Sequence, residues 1–216
     1  MRINTDGVLV AAMAYHDSPE AILDIGTGTG VMALMLAQRF PEAQVSSVEI
    51  DQMAAQTAFK NFEASIFKDR LEVENISIEK YRKKSSFDLI VTNPPFFIND
   101  LKNKEERKGI ARHADSGFFS DLIAKVAELI KEKGCFWFVL PVIQADLLVV
   151  KAKKFGFVPS KTIHLHSDAQ KPEFRRIVCL SRNTRQPEVK HFYIYEQEKV
   201  YTAEYKALLK DFFLAY

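Results

Sequence analysis

The run Ile22-Leu23-Asp24-Ile25-Gly26-Thr27-Gly28-Thr29-Gly30, continued by Val31-Met32-Ala33-Leu34-Met35-Leu36-Ala37, constrains the fold more than any other part of the chain. The segment before the glycines is too short for a helix and reads as a buried strand; the longer apolar segment after them reads as a helix. Strand, glycine turn and helix together open a doubly wound α/β sheet and mark the place where a nucleotide-like cofactor sits. The spacing is G-x-G-x-G, whereas the dinucleotide fingerprint is G-x-G-x-x-G, which brings a helix N-terminus onto a pyrophosphate. The loop holds no Lys or Arg. Asp24 just ahead of it would repel a pyrophosphate and attract the amino and sulfonium groups of S-adenosyl-L-methionine. Gly26, Thr27, Gly28 and Gly30 are therefore candidate contacts to a cationic nucleoside cofactor.

The same reading extends along the chain. Apolar segments at 21–26, 45–50, 71–76, 87–92 and 134–140 alternate with helical patterns near 31–39, 51–64 and 117–132, which predicts a mostly parallel, doubly wound sheet. The active site then falls at the carboxyl ends of the strands. Glu49 and Ile50 end the second strand, nineteen residues after Gly30, where a carboxylate takes ribose hydroxyls in this architecture. Asp51 reads as the cap of the next helix.

Behind the fourth strand stands Asn93-Pro94-Pro95-Phe96. The Asn93 amide oxygen can accept one N–H of an exocyclic amine and the Pro94 carbonyl the other. Two prolines fix two φ angles and remove two donors, leaving a stiff turn that presents only acceptors. Phe96 offers a face for stacking a planar base. These four are the candidate catalytic residues, for transfer to a planar amine. An ordinary proline turn would look the same in isolation; the glycine turn and Glu49 at the same sheet edge are what set it apart.

At 216 residues and 47% hydrophobic content, one domain spanning 1–216 is expected. No stretch nears the roughly 20 apolar residues of a membrane span, and no basic-flanked apolar leader opens the chain, so a cytoplasmic protein with no membrane association is expected. Cys135 and Cys179 each lie in an apolar strand-like run and are expected as buried free thiols. The five His residues lack metal-site spacing, although His164 and His166 share one strand face; no metal is expected. The net charge of +2 is uneven: residues 151–216 hold 13 Lys+Arg against 7 Asp+Glu, the rest 17 against 21. Lys151, Lys153, Lys154, Lys161, Lys171, Arg175 and Arg176 therefore form a candidate phosphate-facing surface, with solvated helix faces as the plain alternative. Residues 97–114 lack apolar periodicity and are expected to form a loop beside the Asn-Pro-Pro-Phe turn, where Lys102, Lys104, Arg107, Lys108 and Arg112 could order on an RNA backbone, with a disordered surface connection as the plain alternative. Thr162–His166 and Arg175–Leu180 read as a hairpin closing the sheet, and 202–214 as a final helix capped by Thr202.

With the glycine turn, Glu49 and Asn93-Pro94-Pro95-Phe96 in this order, the chain resembles class I S-adenosylmethionine-dependent amino-methyltransferases, and more closely the bacterial tRNA(Val) adenine-N6 methyltransferases. The resemblance runs from Asn4-Thr5-Asp6-Gly7-Val8-Leu9 through Ala111-Arg112-His113 to Tyr201-Thr202-Ala203-Glu204-Tyr205. It implies a Rossmann-like fold with a seven-stranded sheet and N6-methylation of the adenine 3′ of the anticodon. It also implies that tRNA is the partner, with no obligate protein partner. It places Thr5 and Asp6 near the methionine end of the cofactor, Asp24 to Gly30 around it, Glu49 on its ribose, and the target base on Asn93 to Phe96, with Phe97, Arg112, His113 and Arg176 toward the RNA. Ser77 stands where relatives often place an Asp for the cofactor adenine amine, with Asn75 or Glu79 as substitutes. Relatives also usually carry about a further strand and turn before Thr5-Asp6-Gly7. Guanine-N2 methylation of ribosomal RNA and protein-glutamine methylation, whose motif is commonly Asn-Pro-Pro-Tyr, are the neighbouring enzyme readings. A noncatalytic RNA-binding module is the reading from another class.

Overall fold

The computed structural model describes residues 4–95, 106–183 and 186–213, and within the helix that begins at 106 it describes side chains from residue 117 onward. The elements in chain order are α1 (Thr5–Met13), β1 (Ala21–Ile25), α2 (Val31–Arg39), β2 (Gln44–Glu49), α3 (Gln52–Glu63), β3 (Leu71–Asn75), β4 (Phe87–Thr92), α4 (Glu106–Leu129), β5 (Ile130–Leu140), α5 (Val142–Ala152), β6 (Val158–His166), β7 (Glu173–Ser181), β8 (Glu188–Tyr193), β9 (Tyr195–Gln197), β10 (Val200–Tyr201) and α6 (Ala203–Leu209).

The main sheet has the order β3-β2-β1-β4-β5-β7-β6-β8. Strands β3, β2, β1, β4 and β5 are mutually parallel, β7 runs antiparallel to β5 and β6, and β8 is parallel to β6. The expected doubly wound sheet is present, with eight strands rather than seven. The extra strand, β8, lies at the sheet edge. Its segment Glu188-Val189-Lys190-His191-Phe192-Tyr193 leaves all but Phe192 and Tyr193 exposed, so it carries too little apolar signal to read as a strand.

Both faces of the sheet are covered, which is why the second half of β5, Cys135 to Leu140, reads as one unbroken apolar run. Cys135, Trp137 and Val139 face the core shared with α1, α2, α3 and α6, while Phe136, Phe138 and Leu140 face the core shared with α4 and α5. Cys135 and Cys179 are buried free thiols.

The sequence reading of 97–114 as a loop is corrected in its second half, because α4 already begins at Glu106. The charged stretch from Glu106 to Lys108 is rich in good helix formers, and propensity there outweighs the missing apolar stripe. The same helix stops at Leu129, short of the expected 132, where β5 takes over. The closing helix is likewise shorter than expected, Ala203–Leu209, with Thr202 capping it by accepting the Tyr205 N–H at 3.1 Å.

Candidate active site

Three strand ends build the site. At the end of β1 the chain turns through Gly26 (φ 72°), Gly28 (φ 59°) and Gly30 (φ 88°), all in the left-handed region that favours glycine. At Gly30 a side chain is excluded twice over, since a Cβ there would come within 2.5 Å of the Phe62 ring, which is buried beneath the turn. The Gly26 and Thr27 amides donate to the Val48 carbonyl at 2.9 and 3.2 Å, locking the turn onto β2.

Glu49, at the end of β2, is 9% exposed, and both of its carboxylate oxygens accept backbone donors: Oε2 takes the Gly28 N–H at 2.8 Å and Oε1 the Asp51 N–H at 2.9 Å. Each oxygen retains a lone pair for a further donor. Asp51 caps α3 as expected, accepting the Ala54 N–H at 2.7 Å. At the end of β4 the Thr92 hydroxyl donates to the Ile25 carbonyl at 2.8 Å, which ties that strand to β1 and sets Asn93 beside the glycine turn.

A cavity of about 450 Å³ lies over these ends. Of the sequence candidates, Gly26, Thr27, Gly28, Glu49, Ile50, Ser77, Asn93, Pro94 and Pro95 line it. No Lys or Arg stands among the described lining residues. Asn93 Oδ1 is buried and has no hydrogen-bond partner among the described residues, a costly state for an amide acceptor.

Other candidates stand elsewhere. Thr5, Asp6, Asp24 and Gly30 are not among the described lining residues: Thr5 is exposed, and Asp6, Asp24 and Gly30 are buried. Asp24 is fully buried: Oδ2 accepts the Thr27 hydroxyl at 2.6 Å and Oδ1 has no partner. Burial raises its pKa to about 7; the Thr27 hydrogen bond opposes this, the Glu49 charge adds to it, and the Ala33 amide opposes it. Its effect on a ligand is therefore through the turn and through its field, without contact. Asn75 is committed to the backbone, donating to the Glu49 and Ile50 carbonyls at 2.9 and 3.2 Å, whereas Glu79 lines the cavity beside Ser77.

Arg176 is not at the cavity. It is held by Glu173 at 2.9 Å and by Asp146. Much of the expected phosphate-facing surface is similarly engaged: Lys161 pairs with Glu188, Lys171 with Asp168 and Arg175 with Asp6, and Lys151 donates to the Ser120 hydroxyl. Phe96 and Phe97 lie outside the described residues, as do the side chains of Arg112 and His113.

Sequence reasoning missed Asn4, Gly7, Met32, Phe118 and Leu122 as cavity residues. Asn4 carried a legible signal, an N-cap residue ahead of Thr5-Asp6-Gly7, and it does accept the Asp6 N–H at 3.0 Å. Phe118 and Leu122 sat in a recognised helix but nothing in its pattern aimed them at the site.

A mostly parallel sheet with a glycine turn, a strand-end carboxylate and an Asn-Pro-Pro turn at one edge defines a methyltransferase, and the family model described as "Methyltransferase small domain" matches residues 5–146. Among solved structures, a predicted O-methyltransferase from Agrobacterium tumefaciens superimposes with a TM-score of 0.74 at 16% identity, covering 95% of this chain and 96% of that one. A ribosomal protein L11 methylase from Lactobacillus delbrueckii gives 0.57 at 16% identity over 82% and 77%; these two bear on the fold alone. A curated relative from Pedobacter heparinus is 53% identical over all of this chain and 92% of its own length, and one from Bacteroides thetaiotaomicron is 34% identical over 99% and 91%. Both are named tRNA1(Val) (adenine(37)-N6)-methyltransferase, and the chain belongs to that family.

Proposed function

We propose that this chain methylates N6 of adenine 37 in tRNA1(Val), with S-adenosyl-L-methionine as donor, as a single domain acting in the cytoplasm without a metal. The observation that carries the reading is the unpartnered, buried Asn93 Oδ1 in the cavity wall, next to a Pro94-Pro95 turn that offers carbonyls only. Family membership supplies the substrate. Among the described residues no helix is long and apolar enough to cross a membrane.

The cavity fits the cofactor. Glu49 has spare acceptor capacity for ribose hydroxyls, Ile50 and Ile78 flank a space suited to an adenine, and Ser77 or Glu79 can accept its amine. A wall whose described residues include two carboxylates, Glu49 and Glu79, and no cation favours a sulfonium over a phosphate. When bound, S-adenosyl-L-methionine supplies an electrophilic methyl group, released as the S–C bond breaks with its electron pair left on sulfur.

An adenine amine is a weak nucleophile because its lone pair is delocalised into the ring. Asn93 Oδ1 and the Pro94 carbonyl each accept one N–H, turning the lone pair toward the methyl group. Positive charge growing on nitrogen strengthens both hydrogen bonds, so the acceptors hold the transition state more tightly than the ground state. The proton leaves after transfer, and no strong general base is required. Alignment supplies most of the acceleration. The base must be unstacked to enter, and Phe96 stacks on it; Phe97, Arg112, His113 and Arg176 belong to the RNA side of the reading.

The test is incubation with methyl-labelled S-adenosylmethionine and unmodified bacterial total tRNA, followed by nucleoside analysis. Labelled N6-methyladenosine in a valine tRNA is expected. Label in ribosomal RNA or protein instead of tRNA would replace the substrate, and no transfer to any of them would overturn the reading.

A further inference from the structure

Helix α1 carries part of the cavity wall, through Asn4, Gly7 and Val8, yet it reaches the sheet edge with one buried charge, Asp6, 7% exposed. A buried carboxylate needs a partner. Asp6 has one 169 residues away, where Arg175 Nε donates to its Oδ2 at 2.8 Å. The Arg175 Nη1 also donates to the Phe174 carbonyl at 3.0 Å, and the guanidinium lies 5.7 Å from the Phe174 ring centre. The opposite end of α1 is held in the same way, by Arg39 Nη1 donating to the Ala11 and Ala14 carbonyls at 2.6 and 2.5 Å.

Strand alternation explains why Arg175 and not Arg176 makes the contact. Ile177 and Cys179 share the core of α1, while Val178 and Leu180 share that of α4 and α5. Arg175 therefore points to the α1 side and Arg176 to the other, where it meets Asp146 on α5. The consequence for the site runs through Gly7, one residue after Asp6. Any Cβ at Gly7 would stand 3.3 Å from the Met32 sulfur and 3.5 Å from Asn93 Nδ2, so the first turn of α1 lies directly against the amide that the proposed reaction uses.

We propose that Arg175 is a positioning residue for the cofactor site, acting through Asp6 to hold the first turn of α1 against Asn93. This rests on the reading of the cavity given above, and it assigns Asp6 to helix placement rather than to ligand contact. Among the described residues the Asn4 cap also holds this turn, but it is local to the turn, whereas the clasp ties the turn to β7.

The experiment measures S-adenosylhomocysteine binding by calorimetry for the parent, Arg175→Ala, Asp6→Asn, Arg175→Lys and the double variant Arg175→Ala with Asp6→Asn. Arg175→Ala and Asp6→Asn are each expected to weaken binding at least fivefold. The double variant should lose no more than the weaker-binding single one, because both changes break one contact. Arg175→Lys, which keeps the charge, should recover part of the loss even if Arg175→Ala folds poorly. A loss under fivefold in both single variants, losses that multiply in the double variant, or a Lys variant no better than Ala would overturn the proposal. A parent that fails to bind S-adenosylhomocysteine would overturn the cavity reading and this proposal together; a binding parent with unaffected variants would overturn only the latter.

Discussion

Replacing Asp24 by Asn removes the charge of a fully buried carboxyl group while keeping its shape and an oxygen for the Thr27 hydroxyl. Burial lifts the Asp24 pKa from 3.8 to about 7. The folded state thus keeps its proton over an interval in which the unfolded chain has already released it. The stability this group contributes is complete below the unfolded value of 3.8, declines as pH rises, and is gone once pH passes the folded value of about 7. That interval is about 3 pH units, and at about 1.36 kcal/mol for each the loss is about 4 kcal/mol. The Asn variant has no such loss, so its stability relative to the parent should rise by about 4 kcal/mol between acid and mildly alkaline pH. Urea unfolding of both proteins across that range measures the difference. A difference curve flat to within about 1 kcal/mol would refute the argument, because it would mean the carboxylate is solvated or paired in the folded state. The gain should come with a functional loss. A cationic ligand over the glycine turn favours the ionised form of Asp24, so the variant should bind S-adenosylmethionine more weakly at neutral pH and release no proton from this site on binding.

Gly30→Ala should destabilise the fold by about 2–5 kcal/mol, about 1–2 from a side chain at φ 88° and about 1–3 from overpacking against Phe62; a denaturant midpoint placing the loss under about 1 kcal/mol would show that Phe62 moves aside freely. Glu49→Ala should strip the acceptors from the Gly28 and Asp51 amides, costing about 1–3 kcal/mol in the same assay and weakening S-adenosylhomocysteine binding at least tenfold by calorimetry.

What the sequence made legible follows from range. The glycine turn, Glu49 and the Asn-Pro-Pro string are each positioned by a strand end, and strands buried on both faces announce themselves as apolar runs; their convergence on one edge needed only the doubly wound topology. The roles of Asp24 and Arg176 were not legible. Asp24 was read as facing a ligand, but whether a carboxyl group beside a turn faces the ligand or the core depends on rotation of the strand about its axis. The adjacent arginines Arg175 and Arg176 differ only in strand parity, and parity was fixed once Ile177 and Val178 were seen to enter different cores. The C-terminal basic excess was real as a count, yet Lys161, Arg175 and Arg176 have carboxylate partners from distant sequence, Glu188, Asp6 and Asp146, and Lys171 has Asp168 in a turn. Helix α1 escaped notice because Gly7 sits in its first turn, where helix propensity is poor and only the close approach to Met32 and Asn93 explains the residue.

The central claim is that the Asn93 amide, whose oxygen has no partner among the described residues, acts on the target amine and not on the cofactor. Asn93→Ala, assayed for methyl transfer to a valine tRNA transcript at saturating S-adenosylmethionine and for S-adenosylhomocysteine binding by calorimetry, tests it most directly. The account predicts that the turnover rate falls by a factor of about 100 or more, the loss of one or two hydrogen bonds that strengthen toward the transition state, with cofactor affinity within about threefold of the parent. Equal losses in binding and turnover, or a variant that turns over normally, would contradict it.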